Sequence, residues 1–291
     1  MRGARPGSWR LRANDLPMAE DRIEQGPSGI RALRTRAADG LPVQARVAGD
    51  GGPAVLFVHG VGSTAAIWDA QLRAFAGTFR CAAVELRGNG ASPDPDPSAV
   101  HRDGYAADVL AVADAIDAPR FHLVGCSLGG VVAFELWRRA PERIRSLTLV
   151  GSYARYPDGR TYADGIIRAV REAGSMEAFA RARAPRLGLP PERLEETIAQ
   201  MACKSVACYI AATEATWTAD HRALLPAITV PVLVIVGEHD TVAPLPLAEE
   251  IARAVPGARL EVLPGAGHVA NADRPEEFNA MLRAFLTALP E

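Results

Sequence analysis

The chain reads as an α/β protein with a mostly parallel sheet flanked by helices, and three observations carry that reading. Short apolar runs recur at residues 54–58, 81–86, 121–124, 144–150, 232–236 and 260–263. Most are followed by Gly, Ser or Asp and then by a helical pattern, so strands alternate with helices along the chain. The runs are also largely apolar at successive positions, as expected of strands covered by helices on both faces.

The flanks and the middle of the chain depart from this rhythm. Residues 1–20 carry Arg2, Arg5, Arg10 and Arg12 without the apolar run of a secretory signal; a disordered leader is expected, with Met18 as a second candidate start. Residues 29–36 and 43–47 alternate weakly, which suggests an antiparallel pair at the sheet edge. Between residues 152 and 225 the periodicity is helical only, in 165–172, 176–183, 191–201 and 205–217. A helical insertion between two strands is expected to lie over the strand ends, where ligands bind in such folds, and so to form a cap. The expected organisation is a core of residues 21–151 and 226–291 interrupted by a cap at 152–225. Pro93, Pro95 and Pro97, spaced by acids, mark an exposed loop.

Bulk composition excludes several classes. The 291 residues are 48% apolar and 23% charged, ordinary for a globular chain with a large core. Thirty-two basic against 34 acidic residues leave a net charge of −2, so no overall field draws the protein onto nucleic acid or anionic lipid. No run approaches the roughly 18 to 20 apolar residues that cross a bilayer. A soluble, cytoplasmic protein is expected. Cys81, Cys126, Cys203 and Cys208 show neither CxxC spacing nor a histidine cluster, so no metal site is expected and a reducing compartment fits best.

Chemistry concentrates in three places. After the run at 121–124 comes Gly125-Cys126-Ser127-Leu128-Gly129-Gly130 and then a helical pattern over 131–139. This is G-x-S-x-G in a strand-turn-helix context, where the turn is so tight that side chains two residues either side of the serine would collide. The helix start directs partial positive charge at Ser127. A serine in a glycine-rich turn can also be a mere helix cap, but the flanks favour a nucleophile.

A serine hydroxyl needs a base, and the base needs an orienting group. The run at 232–236 ends in Gly237-Glu238-His239-Asp240, and that at 260–263 ends in Pro264-Gly265-Ala266-Gly267-His268. Asp240 and His268 therefore leave the same sheet edge as Ser127, in the order Ser, acid, His. Glu238 is the rival acid, and a turn cap before Pro244 is the plainer role for Asp240. Of the other histidines, His122 falls in a strand, His101 and His221 lack a strand end, and His239 breaks the order. His59 belongs to a further motif, His59-Gly60-Val61-Gly62-Ser63-Thr64, whose small residues let a backbone N–H approach a substrate carbonyl. Val61 and Leu128 are the expected oxyanion donors. Trp68, Trp217 and Val269 are candidate pocket walls, although core packing is the plainer role for each. An arginine among Arg155, Arg160, Arg168, Arg171, Arg181, Arg183 and Arg186 could pair with a substrate carboxylate, although a solvated helix face is the plainer role.

Together, His59-Gly60-Val61-Gly62, Arg87-Gly88-Asn89-Gly90-Ala91-Ser92, Gly125-Cys126-Ser127-Leu128-Gly129-Gly130, Gly237-Glu238-His239-Asp240 and Gly267-His268 resemble the α/β-hydrolase superfamily across residues 28–288. The tail His268-Val269-Ala270-Asn271 with Arg274-Pro275-Glu276-Glu277-Phe278 is most similar to the 3-oxoadipate enol-lactonase group and related small carboxylesterases. The resemblance implies an α/β-hydrolase fold of eight strands with a helical cap, no cofactor, and cleavage of a small ester or lactone through an acyl-enzyme on Ser127. Asn89 stands where that loop commonly has a histidine. Serine rather than aspartate at the elbow argues against epoxide hydrolase or haloalkane dehalogenase chemistry. Carbon–carbon hydrolysis of a diketone, perhydrolase or acyl transfer activity would use the same three residues. A non-catalytic ligand-binding homologue is the rival from another class.

Overall fold

The computed structural model describes residues 22–24, 29–187 and 191–290; the expected leader at 1–20 lies outside them. One sheet organises the chain. Its strands are β1 (Arg22–Glu24), β2 (Arg31–Arg36), β3 (Pro42–Ala48), β4 (Ala54–Val58), β5 (Arg80–Glu85), β6 (Phe121–Cys126), β7 (Ile144–Val150), β8 (Val232–Gly237) and β9 (Arg259–Leu263). They lie in the order β1-β2-β3-β5-β4-β6-β7-β8-β9. β1, β2 and β3 run antiparallel, β3 meets β5 antiparallel, and β4 to β9 are parallel.

Two expectations need correction. Among the described residues the sheet has nine strands rather than eight, and its antiparallel edge has three strands rather than a pair. The additional strand, β1, is three residues long and pairs with β2 through Ile23 and Leu33, a length too short to leave a periodic signature.

Helices cover both faces: α1 (Asp69–Phe75), α2 (Arg102–Ala115), α3 (Leu128–Arg139), α4 (Gly159–Ala173), α5 (Met176–Arg183), α6 (Leu194–Ala202), α7 (Val206–Trp217), α8 (Leu245–Ala254), α9 (Ala270–Asp273) and α10 (Pro275–Thr287). Every residue of β4, β6 and β8 is buried, as strands sandwiched between helices must be. One core packs beneath α2, α3 and α8; the other holds Phe57, Trp68, Phe75 and Phe278 beneath α1 and α10. The segment between β7 and β8 contributes α4 to α7 and no strand of the sheet. Its base is drawn together where Arg155 bridges Asp220 and the His221 N–H donates to the Ala154 carbonyl at 2.9 Å.

Strand order reverses at β4, with β5 on one side and β6 on the other. That switch point opens a crevice at the carboxyl ends of the parallel strands. Val58 is level with Gly125, Cys126 with Val150, and Gly237 with Leu263. The loops beginning at His59, Ser127, Gly151, Glu238 and Pro264 therefore all leave at one edge.

Candidate active site

Ser127 sits between the last residue of β6 and the first of α3, with φ +54°. This left-handed backbone is strained for a residue with a side chain, at a cost of about 1–3 kcal/mol, and the packing around it enforces the turn. A Cβ at Gly125 would stand 2.2 Å from the Gly129 carbonyl oxygen, and one at Gly129 2.2 Å from that of Val58. The Ser127 N–H donates to the Val150 carbonyl at 2.9 Å.

The loop after β4 runs directly beside the serine. A Cβ at Gly60 would lie 3.2 Å from Ser127 Cβ and 3.8 Å from Ser127 Oγ. Residues 60–63 form a β-turn in which the Ser63 N–H donates to the Gly60 carbonyl at 3.2 Å and Gly62 takes φ +79°. Val61, second in the turn, has its N–H in no hydrogen bond among the described residues, and Leu128, first in α3, has none either.

Asp240 and His268 form a buried pair. The His268 ring donates from Nδ1 to Asp240 Oδ2 at 2.9 Å and Oδ1 at 3.1 Å, while Asp240 Oδ1 also accepts the Val242 and Ala243 N–H groups, each at 2.8 Å. Burial alone would raise the Asp240 carboxyl, but the histidine and the two backbone donors outweigh it and hold it below the ordinary carboxylate range. A carboxylate can only accept, so the proton of a neutral His268 sits on Nδ1 and Nε2 is left as an acceptor. No hydrogen bond joins Ser127 Oγ to His268 among those formed. His268 lines one narrow cavity of about 60 Å³ together with Gly60 and Val61, from the turn beside Ser127, and Cys126, which precedes Ser127 in the chain.

The competing groups are engaged elsewhere. Glu238 accepts the Gly265 N–H at 2.8 Å, and His101 accepts that of Gly104 at 3.1 Å as the cap of α2. His122 bonds Ser146 at 2.8 Å. His221 faces Glu135. His59 is fully buried; its Nδ1 donates to the Gly60 carbonyl at 2.9 Å and its Nε2 accepts the Leu86 N–H at 3.2 Å.

Trp217 and Val269 line the cavity, whereas Trp68 does not. Trp68 is buried on the far side of the sheet against Phe57 and Phe278, with ring centroids 5.1 and 6.1 Å away; an indole at the start of a helix is drawn into the apolar core. Of the insertion's arginines, Arg155, Arg160 and Arg181 pair with acids at the surface. Arg183 lines the cavity within a nest of Tyr162 and Tyr209 and forms no ion pair among the described residues.

Sequence reasoning missed three features. Arg193 lines the same cavity, and its Nη1 makes no hydrogen bond, lying 3.9 Å from Asp273. Its place near the start of the helical run at 191–201 gave no signal. Gly151, φ +50°, leaves room for the buried pair, since a Cβ there would be 3.0 Å from Asp240 Oδ2 and 3.1 Å from His268 Nδ1. Its place directly after an apolar run was the available signal. Lys204 is the third, a buried cation reaching the residue 60–63 turn from the insertion.

Residues 53–275 match the family described as alpha/beta hydrolase fold. The pimeloyl-acyl-carrier-protein methyl ester esterase of Neisseria meningitidis is 32% identical over 247 residues, covering 80% of this chain and 93% of that one. The 3-oxoadipate enol-lactonase 2 of Acinetobacter baylyi is 29% identical over 241 residues, 80% of this chain and 88% of its own. Among solved structures, a hydrolase from Pseudomonas aeruginosa superposes with a TM-score of 0.80 at 32% identity, covering 90% of this chain and 100% of that one.

Proposed function

Because the chain belongs to the α/β-hydrolase family, we propose that it is a serine hydrolase of a small ester or lactone, with Ser127 as nucleophile, His268 as base and Asp240 as orienting acid. The observation that carries this reading is the buried Asp240–His268 pair, which leaves Nε2 as an acceptor on a ring that lines the same cavity as Gly60, the residue packed beside Ser127. His268 takes the Ser127 proton as Oγ attacks the carbonyl carbon. The imidazolium so formed is stabilised by Asp240, and the oxyanion accepts from the Val61 and Leu128 N–H groups. His268 then returns the proton to the departing alkoxide, and water activated by the same ring releases the acyl group.

Residues 152–225 act as the cap, supplying Trp217, Arg183 and Arg193 to the cavity roof. Two guanidinium groups, one without an ion pair among the described residues and one whose buried Nη1 lies 3.9 Å from Asp273 without a hydrogen bond, suit a substrate that carries a carboxylate beside its ester.

A fluorophosphonate probe followed by peptide mapping tests the assignment: wild-type protein is labelled at Ser127, and Ser127→Ala is not. A wild type that resists labelling while binding a small ligand would make the chain a non-catalytic homologue. Turnover of a diketone but of no ester or lactone would move the reading to carbon–carbon hydrolysis.

A further inference from the structure

The sequence contains a single lysine among its 32 basic residues, and that lysine is 6% exposed. Lys204 lies in the short link between α6 and α7, inside the helical insertion, yet its ammonium reaches into the core. Nζ donates to the Ser63 carbonyl oxygen at 2.9 Å and to Oδ1 of Asn89. The Asn89 amide is oriented for this, because Nδ2 donates to the Leu86 carbonyl at 3.0 Å and the Arg87 carbonyl at 2.9 Å, leaving only its oxygen to face the ammonium. Lys204 forms no ion pair among the described residues; Glu85 is the main countercharge in its field. A buried cation satisfied by neutral oxygens is costly to keep, which makes a purely incidental role a poor account of it.

One of these partners, Ser63, belongs to the turn that runs beside the serine. Ser63 closes the turn whose second residue is Val61, so its N–H and its carbonyl fix the far end of that turn. The near end is fixed by His59, through its ring bonds to the Gly60 carbonyl and the Leu86 N–H. The direction of the Val61 N–H depends on the backbone of residues 60–63, and Lys204 holds that backbone at the Ser63 carbonyl. The grip comes from the insertion, so the donor is set while the α6–α7 link sits on the core.

We propose that Lys204 is a positioning residue, whose buried ammonium locks the turn of residues 60–63 so that the Val61 N–H stays aimed at the oxyanion formed at Ser127. This rests on the serine-hydrolase reading above.

The test compares wild type with Lys204→Met, using p-nitrophenyl acetate as substrate, phenylboronic acid as a tetrahedral mimic on the serine, and fluorophosphonate titration to count active sites. The expected result per titrated site is a kcat lowered about 10- to 100-fold, a KM within about threefold, and boronate inhibition weakened in parallel with kcat. A structural role alone would lower the number of titrated sites and leave kcat per site unchanged, which would overturn the inference. So would a raised KM with unchanged kcat, which would make Lys204 an anchor for the insertion. Should Lys204→Met not fold, Lys204→Gln, neutral but still a donor, is read against the same outcomes. A wild type inert to both ester and fluorophosphonate would sink the hydrolase reading and this inference together, whereas an active wild type with unaltered variants would sink this inference alone.

Discussion

Asp240→Asn changes one atom and tests the site more sharply than removing the side chain. Asp240 Oδ1 receives two backbone N–H bonds at 2.8 Å, from Val242 and Ala243. The asparagine amide must keep its oxygen there, because the flipped amide would set its NH₂ against two donors and forfeit both bonds, at roughly 2–5 kcal/mol. The NH₂ then occupies the place of Oδ2 and faces His268 Nδ1, now 2.9 Å from the carboxylate. The ring can meet a donor there only by accepting, so its proton moves to Nε2. With that nitrogen occupied, His268 cannot take the proton of Ser127. The expected loss in kcat is about 10⁴-fold, equivalent to about 5.5 kcal/mol of transition-state stabilisation. Turnover of p-nitrophenyl acetate, alongside circular dichroism to verify the fold, measures it. A folded Asp240→Asn variant with kcat within tenfold of wild type would refute the assignment of Asp240.

Trp68→Ala should cost about 3–5 kcal/mol of stability in urea unfolding, with KM of the folded fraction unchanged, because the indole packs in the core and not on the cavity. Arg193→Met should raise KM for a monomethyl dicarboxylate at least about tenfold while leaving a neutral methyl ester of equal length nearly unaffected; equal effects on both would remove the carboxylate from the proposed substrate. Burial, with Lys204 nearby, pushes His59 down to about 3, and burial, with Arg145 and Arg120, pushes His122 down to about 4. The unfolded chain takes up protons that the folded chain refuses, so this stability is complete above about pH 6.5 and is lost progressively as pH falls towards those values. Between pH 6.5 and 5.0 the loss is roughly 2 kcal/mol per histidine; identical urea midpoints at pH 7 and pH 5 would contradict it.

Strand runs, the glycine-flanked serine and the order of nucleophile, acid and base could be read from sequence because each is a local pattern with a local cause. Apolar runs need burial on both faces, and Gly125 is required because a Cβ there would meet the Gly129 carbonyl across the turn at Ser127; at Gly129 the close neighbour is instead the Val58 carbonyl, which the sequence does not reveal. β1 was lost because three residues carry no period, and the choice between pocket wall and core for Trp68 needed the structure because an aromatic beside a glycine-rich loop looks the same whether it faces a cavity or a core.

What the sequence alone determined, then, was the edge from which the reactive side chains leave, since strand ends set that edge whatever packs around them. Only the tertiary structure decided which groups touch: Lys204 meets a turn 141 residues earlier in the chain, Arg193 lines a cavity that it shares with the loop after β4 and the last residue of β6, and Gly151 makes space for a pair supplied by two other loops. The reason is range. A backbone turn is dictated by its immediate neighbours, whereas a buried cation is dictated by whichever oxygens the fold brings within hydrogen-bonding distance, and no periodicity along the chain encodes that distance.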